Sequence, residues 1–360
     1  MARPIAATVD LAAIAANVAQ VRRDAPGTEV LAVVKANAYG HGLLRVLPAL
    51  SDADGLALIE LDGALALRTA GYRRPILLLE GFFEARELEP IGREAIAVVV
   101  HDVDQVRQLE SARFERPIDV YVKANTGMNR LGFAPENVAG ICRRLAGATC
   151  VAKVHVMTHF ARADEDDGIA EAKRRFEQAT AHLPYRRSLA NSAGVVRFPA
   201  IGGDVVRPGI MLYGATPFAS RSAGSLGLAP AMTLTSRLIA VQVLAAGDGV
   251  GYGGTFHASR AMRVGVVACG YADGYPRHAP NGTPVLVGGR RVPMAGRVSM
   301  DMLTVDLSNV PEAGVGTDVV LWGEGLPVDD VAAAASTVGY ELLCAVAPRV
   351  PFAVRERSGP

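Results

Sequence analysis

At 360 residues, half of them hydrophobic, the chain is too long for one small domain and long enough to bury a large core. Its 37 Lys and Arg against 36 Asp and Glu leave a net charge of +1 with no single-sign block, which argues against a nucleic-acid or acidic-surface partner. The four cysteines, Cys142, Cys150, Cys269 and Cys344, are widely spaced with no Cys-x-x-Cys pair; this argues against a metal site or a disulfide framework and suits a reduced, cytoplasmic setting.

The N-terminus is rich in alanine, but Leu11, Ile14, Val18 and Val21 recur at helical spacing behind Asp10, a good N-cap, while Asn17 and Gln20 interrupt the apolar run. This is the pattern of a mature amphipathic helix and not of a signal peptide. No stretch approaches the ~18 uninterrupted apolar residues of a membrane span.

Short apolar runs then alternate with helical-period segments. Strands are predicted at 30–36, 55–59, 75–79, 95–100, 118–124, 150–159, 188–191 and 204–212, and helices at 61–70, 103–112, 135–145 and 169–182. Eight such strands suit a closed (β/α)8 TIM-type barrel over residues 1–228 better than an open sheet, with the first residues able to pack elsewhere. Beyond 224–230 the rhythm changes. Strands at 234–244, 264–268, 283–287, 302–307 and 319–322 follow without intervening helices, punctuated by Gly253-Gly254, Asn281-Gly282 and Gly288-Gly289. Residues 229–360 therefore read as a mostly β C-terminal domain, on which the first residues of the chain can pack, with a helix from 329 to 336 and a frayed tail after Arg355.

In such a barrel the C-terminal strand ends and the loops after them surround the ligand. Those positions hold Lys35 and Tyr39; Lys123, with Asn125, Met128, Asn129 and Arg130 beyond; His159 before Asp164; Asn191-Ser192; and Arg207 followed by Gly209. Lys35 is either a solvated strand end or an amine beside a pocket. Ser192 is either a plain N-cap or, with Gly209, part of a phosphate site built by the last two loops. Arg207 is either an ordinary ion-pair partner or a contact for a ring nitrogen. A phosphate anchor facing a strand-end lysine suggests pyridoxal phosphate, whose aldehyde would condense with Lys35. An arginine on the pyridine nitrogen accepts no proton, which favours returning a proton to the same carbon over transamination.

At this point the sequence resembles a known family. Ala32-Val33-Val34-Lys35-Ala36-Asn37-Ala38-Tyr39-Gly40-His41-Gly42 is similar to the cofactor-lysine signature of the alanine racemases, and further motifs follow in family order. These are Thr126-Gly127-Met128-Asn129-Arg130, Thr158-His159-Phe160-Ala161, Ala190-Asn191-Ser192-Ala193, Val206-Arg207-Pro208-Gly209-Ile210, Gly251-Tyr252-Gly253, Gly270-Tyr271-Ala272-Asp273 and Ser299-Met300-Asp301.

The resemblance implies interconversion of L- and D-alanine, serving peptidoglycan supply or D-alanine catabolism, by two bases on opposite faces of Cα. Lys35 would be one. Tyr252, supplied by the partner chain of a head-to-tail homodimer and supported through a His159–Arg207 hydrogen bond, would be the other. It also implies a cofactor site of Lys35, Tyr39, His159, Asn191, Ser192, Arg207, Gly209 and Ile210. Substrate contacts would come from Arg130 and from the partner's Met300, Asp301 and Tyr271. Asp164, Arg277 and Arg297 would line the access corridor, and Lys123 would be open to carbamylation. One departure is Pro348, where some members place a phosphate-contacting tyrosine; a wider entrance and a phosphate held mainly by Tyr39, Ser192, Gly209 and Ile210 are expected. Rival readings are a broad-specificity or serine/lysine racemase and a non-catalytic pyridoxal phosphate carrier; the β domain with Tyr252 argues against the carrier.

Overall fold

Eight short parallel strands close the barrel in chain order: β2 (Glu29–Val33), β3 (Gly55–Leu58), β4 (Ile76–Leu78), β5 (Ala97–Val100), β6 (Ile118–Lys123), β7 (Val151–Met157), β8 (Arg187–Ser188) and β9 (Val205–Val206), with β9 pairing back onto β2. The structure is a computed structural model describing residues 3–166, 168–199, 201 and 203–356. Strand residues alternate between the axis and the helices: Leu31, Ala57, Leu77 and Val99, in step with the mouth residues Val33, Ile59, Leu79 and Lys123, are at most 1% exposed inside, and Leu56, Ile76, Val98, Val120 and Val156 are buried under the helices, so the interior is packed and the mouth is left for a ligand.

The last two strands are much shorter than the runs at 188–191 and 204–212 suggested. Asn191 leaves the sheet to cap the next helix, and Pro208 has no N–H to give a ladder. The strand expected at 30–36 stops at Val33 because the backbone after Lys35 turns left-handed.

The strand before the first helix, β1 (Ala6–Asp10), leaves the barrel altogether. It lies between β10 (Met232–Leu244) and β18 (Phe352–Arg355) in the sheet of the C-terminal part, antiparallel to the first and parallel to the second. β13 (Met262–Val267), β14 (Pro284–Val287), β15 (Arg290–Pro293), β16 (Leu303–Asp306) and β17 (Asp318–Trp322) complete that sheet, and β11 (Gly249–Val250) with β12 (Phe256–His257) forms a separate two-stranded hairpin. The helix expected at 329–336 runs Val328–Ala334, and a second helix, Gly339–Cys344, follows it. The tail expected to fray after Arg355 lies, from residue 357 on, outside the described residues.

Polar side chains set the joint between barrel and sheet. Asp10 caps the helix Leu11–Asp24 by accepting the Ala13 N–H (3.0 Å). Asn17, the interruption in that helix's apolar face, is fully buried; its Nδ2 donates to the Leu212 and Ala229 carbonyls (3.1 and 2.8 Å) and its Oδ1 accepts the Ala229 N–H (2.9 Å). It is a clamp on the crossover segment. Asp273, also with no exposed surface, accepts from Arg3 (2.5 and 2.9 Å), Arg349 (2.8 Å) and the Gly270 N–H (2.9 Å), drawing both ends of the chain onto one loop.

Burial alone would raise the Asp273 carboxyl, but these hydrogen bonds outweigh it and hold the group below its ordinary range. Its stabilisation is complete above the unfolded value of about 4 and is lost as pH falls through the lower folded value. Both guanidiniums are a third or more exposed, so water screens part of the interaction. Asp273→Asn is therefore expected to cost about 2 kcal/mol at pH 7. In urea denaturation, the gap to wild type should narrow as pH falls below the unfolded value of about 4.

Candidate active site

Beyond Lys35 the residues Ala36, Asn37, Ala38 and Tyr39 have φ of 51, 54, 56 and 51°, a turn of left-handed helix built from non-glycine residues. Each costs roughly 1–2 kcal/mol, so the turn must be held from outside. The Ala38 N–H donates to Val34 O (2.9 Å), the Gly40 N–H to Ala36 O (3.0 Å) and the Gly42 N–H to Asn37 O (2.9 Å). Fully buried His41 donates from Nδ1 to the carbonyls of Ala38 and Tyr39 (3.0 and 2.9 Å) and lies 4.6 Å from the Tyr213 ring. Burial, helped by Arg45, pushes this imidazole down to about 4, so it stays neutral. The turn folds the chain back so that Lys35 and Tyr39 line the same pocket.

That pocket sits at the C-terminal mouth of the barrel. Four cations, Lys35, Lys123, Arg130 and Arg207, share its wall with one carboxylate, Glu80. Burial and then the neighbouring cations, Arg207 first, lower Lys123 to about 8. The same causes take His159 to about 3, leaving it uncharged at neutral pH. Burial brings the Arg207 guanidinium down to about 10. Arg207 donates to the Ser188 hydroxyl, to Thr158 O (2.7 Å) and to Leu189 O (3.4 Å). The expected His159–Arg207 hydrogen bond does not form among the described residues: the strand-end acceptors beneath Arg207 engage three of its five N–H groups, and His159 Nε2 lies 3.5 Å from Asn191 Nδ2.

At the other end, Asn191 and not Ser192 is the cap of the helix Ser192–Arg197, its Oδ1 accepting the Gly194 N–H (3.0 Å). Ser192 Oγ is left to accept the Gly209 N–H (2.9 Å). A methyl group at Gly209 would collide with the Tyr39 hydroxyl, so glycine is what admits this phenol. The Tyr39 ring stacks on Tyr213 at 4.7 Å, and Tyr213 donates to Val33 O (2.9 Å), the last residue of β2. Ile210 completes this end.

The other expected site residues lie elsewhere. Tyr252 is 70% exposed, Met300 53% and Tyr271 40%, and none lines the pocket of its own chain. Tyr271 and Met300 belong to joined loops, with the Tyr271 N–H on Ser299 O and the Ala272 N–H on Met300 O (both 3.0 Å). Asp301 is held by Arg349 (2.7 Å), and the Arg297 guanidinium lies against the Gly253 backbone. Arg277 and Asp164 are exposed, the latter close enough to Tyr340 for its carboxylate to act on that phenol.

Residues 9–217 match the family model for the N-terminal domain of alanine racemase and residues 231–354 that for its C-terminal domain. The chain belongs to the alanine racemase family. It is 56% identical over 353 residues to the alanine racemase of Nitrosospira multiformis, covering 97% of this chain and 99% of that protein. To the catabolic alanine racemase of Salmonella typhimurium it is 52% identical, covering 98% and 99%. The crystal structure of the biosynthetic alanine racemase from Pseudomonas aeruginosa superposes with a TM-score of 0.96 at 49% identity, covering 98% of this chain and 99% of that one.

Within the pocket of this family member, two polar residues were not expected from sequence, besides the apolar Ile59, Leu79 and Met157. Glu80 stands just beyond β4, a strand-end position passed over because no motif marks it. Tyr340 comes from the unanticipated helix Gly339–Cys344 and tilts against Tyr39 with ring centroids 6.0 Å apart. No residue from 345 to 351, Pro348 included, lines the pocket.

His41 gives the left-handed turn a pH signature. Between about pH 4 and 6.5 the unfolded chain binds more protons than the folded one, so stability rises with pH across this window, by about 3 kcal/mol in all. In His41→Gln the slope of unfolding free energy there should fall by about 1.4 kcal/mol per pH unit. Urea titrations at stepped pH measure it, and His159 contributes equally to both proteins.

Proposed function

We propose that the protein interconverts L-alanine and D-alanine using pyridoxal phosphate, with Lys35 as one base and Tyr252 of the partner subunit as the other. The observation that carries this reading is Lys35, delivered by β2 and the left-handed turn into a cationic pocket that also holds Tyr39, Ser192 and Gly209. The donor set fits the cofactor. Tyr39 is 6% exposed with no hydrogen-bond partner for its hydroxyl among the described residues, and the backbone at Gly209 leaves room for it.

Tyr39, Ser192, Gly209 and Ile210 would hold the phosphate, Asn191 and His159 would flank the ring, and Lys35 would anchor the aldehyde. When bound, the cofactor would supply an electron-withdrawing ring that stabilises negative charge at the substrate Cα. Arg207 offers only donors, so it would hold the ring nitrogen without protonating it and keep that withdrawal modest. Arg130, with the partner's Met300 and Asp301, would bind the substrate carboxylate. Lys35 would take the D-enantiomer's Cα proton and return a proton to the same face, and Tyr252 of the partner subunit would do so on the other face. The high exposure of Tyr252, Tyr271 and Met300 supports a head-to-tail homodimer, because their own chain gives them no pocket to complete. Asp164, Arg277 and Arg297 would border the route in.

Racemisation assays in both directions with Lys35→Ala and Tyr252→Phe test the two bases. Lys35→Ala should abolish racemisation, and Tyr252→Phe should slow it strongly while the Cα hydrogen of D-alanine still exchanges in deuterium oxide and that of L-alanine does not; exchange lost or kept alike for both enantiomers would sink the assignment. Dissociated and re-mixed in equal amounts, the two impaired variants should rise to about a quarter of wild-type activity, since half the dimers then carry one intact site. No recovery would argue that each chain works alone.

Lys123 supports a second expectation. Lowered to about 8, its amine is substantially neutral at mildly alkaline pH, and a neutral amine adds carbon dioxide, releasing a proton and forming a carbamate anion between Arg130 and Arg207. With 13C-labelled bicarbonate, a carbamate carbon resonance should appear, grow through pH 8 and be missing in Lys123→Ala.

A further inference from the structure

The turn pair Asn281-Gly282 has had no part in the site, yet its asparagine reaches the loop that carries Tyr252. That loop is the tip of the hairpin of β11 and β12, which pairs with no other strand. The foot of the hairpin is packed: Val250 is buried, and Phe256 lies on the small apolar cluster of Ala258, Met262 and Val264. The tip has no such packing. Gly251, Gly253 and Gly254 take φ of 71, 73 and 53°, a backbone with little stiffness of its own, and Tyr252 between them is 70% exposed. Among the described residues, 249–257 bond to one another and to Gly247 at their base, with a single hydrogen bond to any other part of the protein. It is the Asn281 Nδ2–H donating to Thr255 O (2.9 Å).

We propose that Asn281 is the positioning residue of the second base, holding the tip of the hairpin so that Tyr252 meets the partner subunit's pocket at a fixed height and angle. This rests on the reading of Tyr252 as a base. Three observations carry it. The turn of Asn281 is itself locked: the Gly282 N–H donates to Met294 O (2.9 Å), the Met294 N–H to Thr283 O (2.8 Å) and the Thr283 hydroxyl to Pro280 O (2.8 Å), which ties it to the β14–β15 ladder. The amide is oriented, because its Oδ1 accepts the Gly296 N–H (2.6 Å) and so leaves Nδ2 to face the hairpin. The segment gripped through Gly296 is also the one that backs the tip: a methyl group at Gly296 would collide with Val250 O, and Arg297 lies against Gly253. One side chain therefore fixes the hairpin and its backing to the same rigid turn. Asn281 lines no part of its own chain's pocket and acts through Tyr252. The effect on rate is large in principle, since an error of about 1 Å in the position of a reacting group can cost about a hundredfold.

The alternative is that Asn281 only stabilises the C-terminal part, and exchange of the Cα hydrogen in deuterium oxide separates the two because Tyr252 serves one enantiomer and Lys35 the other. The holoenzyme is compared with Asn281→Ala and with Asn281→Asp, which keeps an acceptor for Gly296 and lacks the donor for Thr255; thermal melts and sedimentation confirm folded dimers. Both variants should exchange L-alanine about fivefold more slowly, the worth of one hydrogen bond, with D-alanine exchange unchanged. Unchanged exchange of L-alanine in either variant would overturn the proposal, and so would equal slowing for both enantiomers, which would make Asn281 a general support. Tyr252→Phe, run alongside, keeps the two readings apart: if it left L-alanine exchange intact, the assignment of Tyr252 as a base would itself fall.

Discussion

A strand that ends in a lysine points that lysine along the barrel axis only if the chain leaves the strand at once and in the right direction. Here the exit is a left-handed turn made of Ala36, Asn37, Ala38 and Tyr39, a conformation that L-residues resist. Everything at the mouth is arranged to keep it. His41 ties two of its carbonyls, Tyr213 stacks under Tyr39 while reaching back to Val33, Gly209 makes room for the Tyr39 hydroxyl, and the C-terminal helix presses on Gly40. The strain is local, but its supports come from distant parts of the chain, which is how sparsely populated backbone persists at functional sites.

Charge is the second organising constraint. Lys35, Lys123, Arg130 and Arg207 around a single Glu80 repel one another, and burial weakens the solvent's ability to relieve them. The protein answers in two ways. It lowers the groups that can lose a proton, Lys123 and His159, and it ties Arg207 to neutral acceptors below the pocket, the Ser188 hydroxyl and two carbonyls. What remains is an excess of positive charge that suits a ligand carrying a phosphate and a carboxylate.

Much of this was legible from sequence because it rests on short-range rules. Alternating apolar runs gave the barrel, Asp10 was read as a cap and is one, and strand-end positions led to Lys35, Lys123, His159 and Arg207 before any motif was considered. The failures share a cause: pairing across long separations. Packing of the first residues on the C-terminal part was expected, but not the strand Ala6–Asp10 nor its place between two strands more than two hundred residues away, which nothing local records. Asn17 read as a break in an apolar face, yet it is buried as a three-bond clamp. Tyr340 and Glu80 belong to no motif and enter the pocket only because tertiary packing brings them there. The direction of Arg207's hydrogen bonds depends on side-chain geometry that spacing does not encode.

The segment that follows residue 338 touches the turn after Lys35 through Leu343 and Gly40, then continues until the Ala347 N–H donates to Asp273 O (3.1 Å) and Arg349 grips both Asp273 and Asp301. One stretch of backbone thus braces the wall of the pocket that the chain keeps and the outward loops of Tyr271 and Met300. It works as a strut. The inner cavity and the exposed face therefore share one support, with Tyr340 at one end of it and Arg349 at the other.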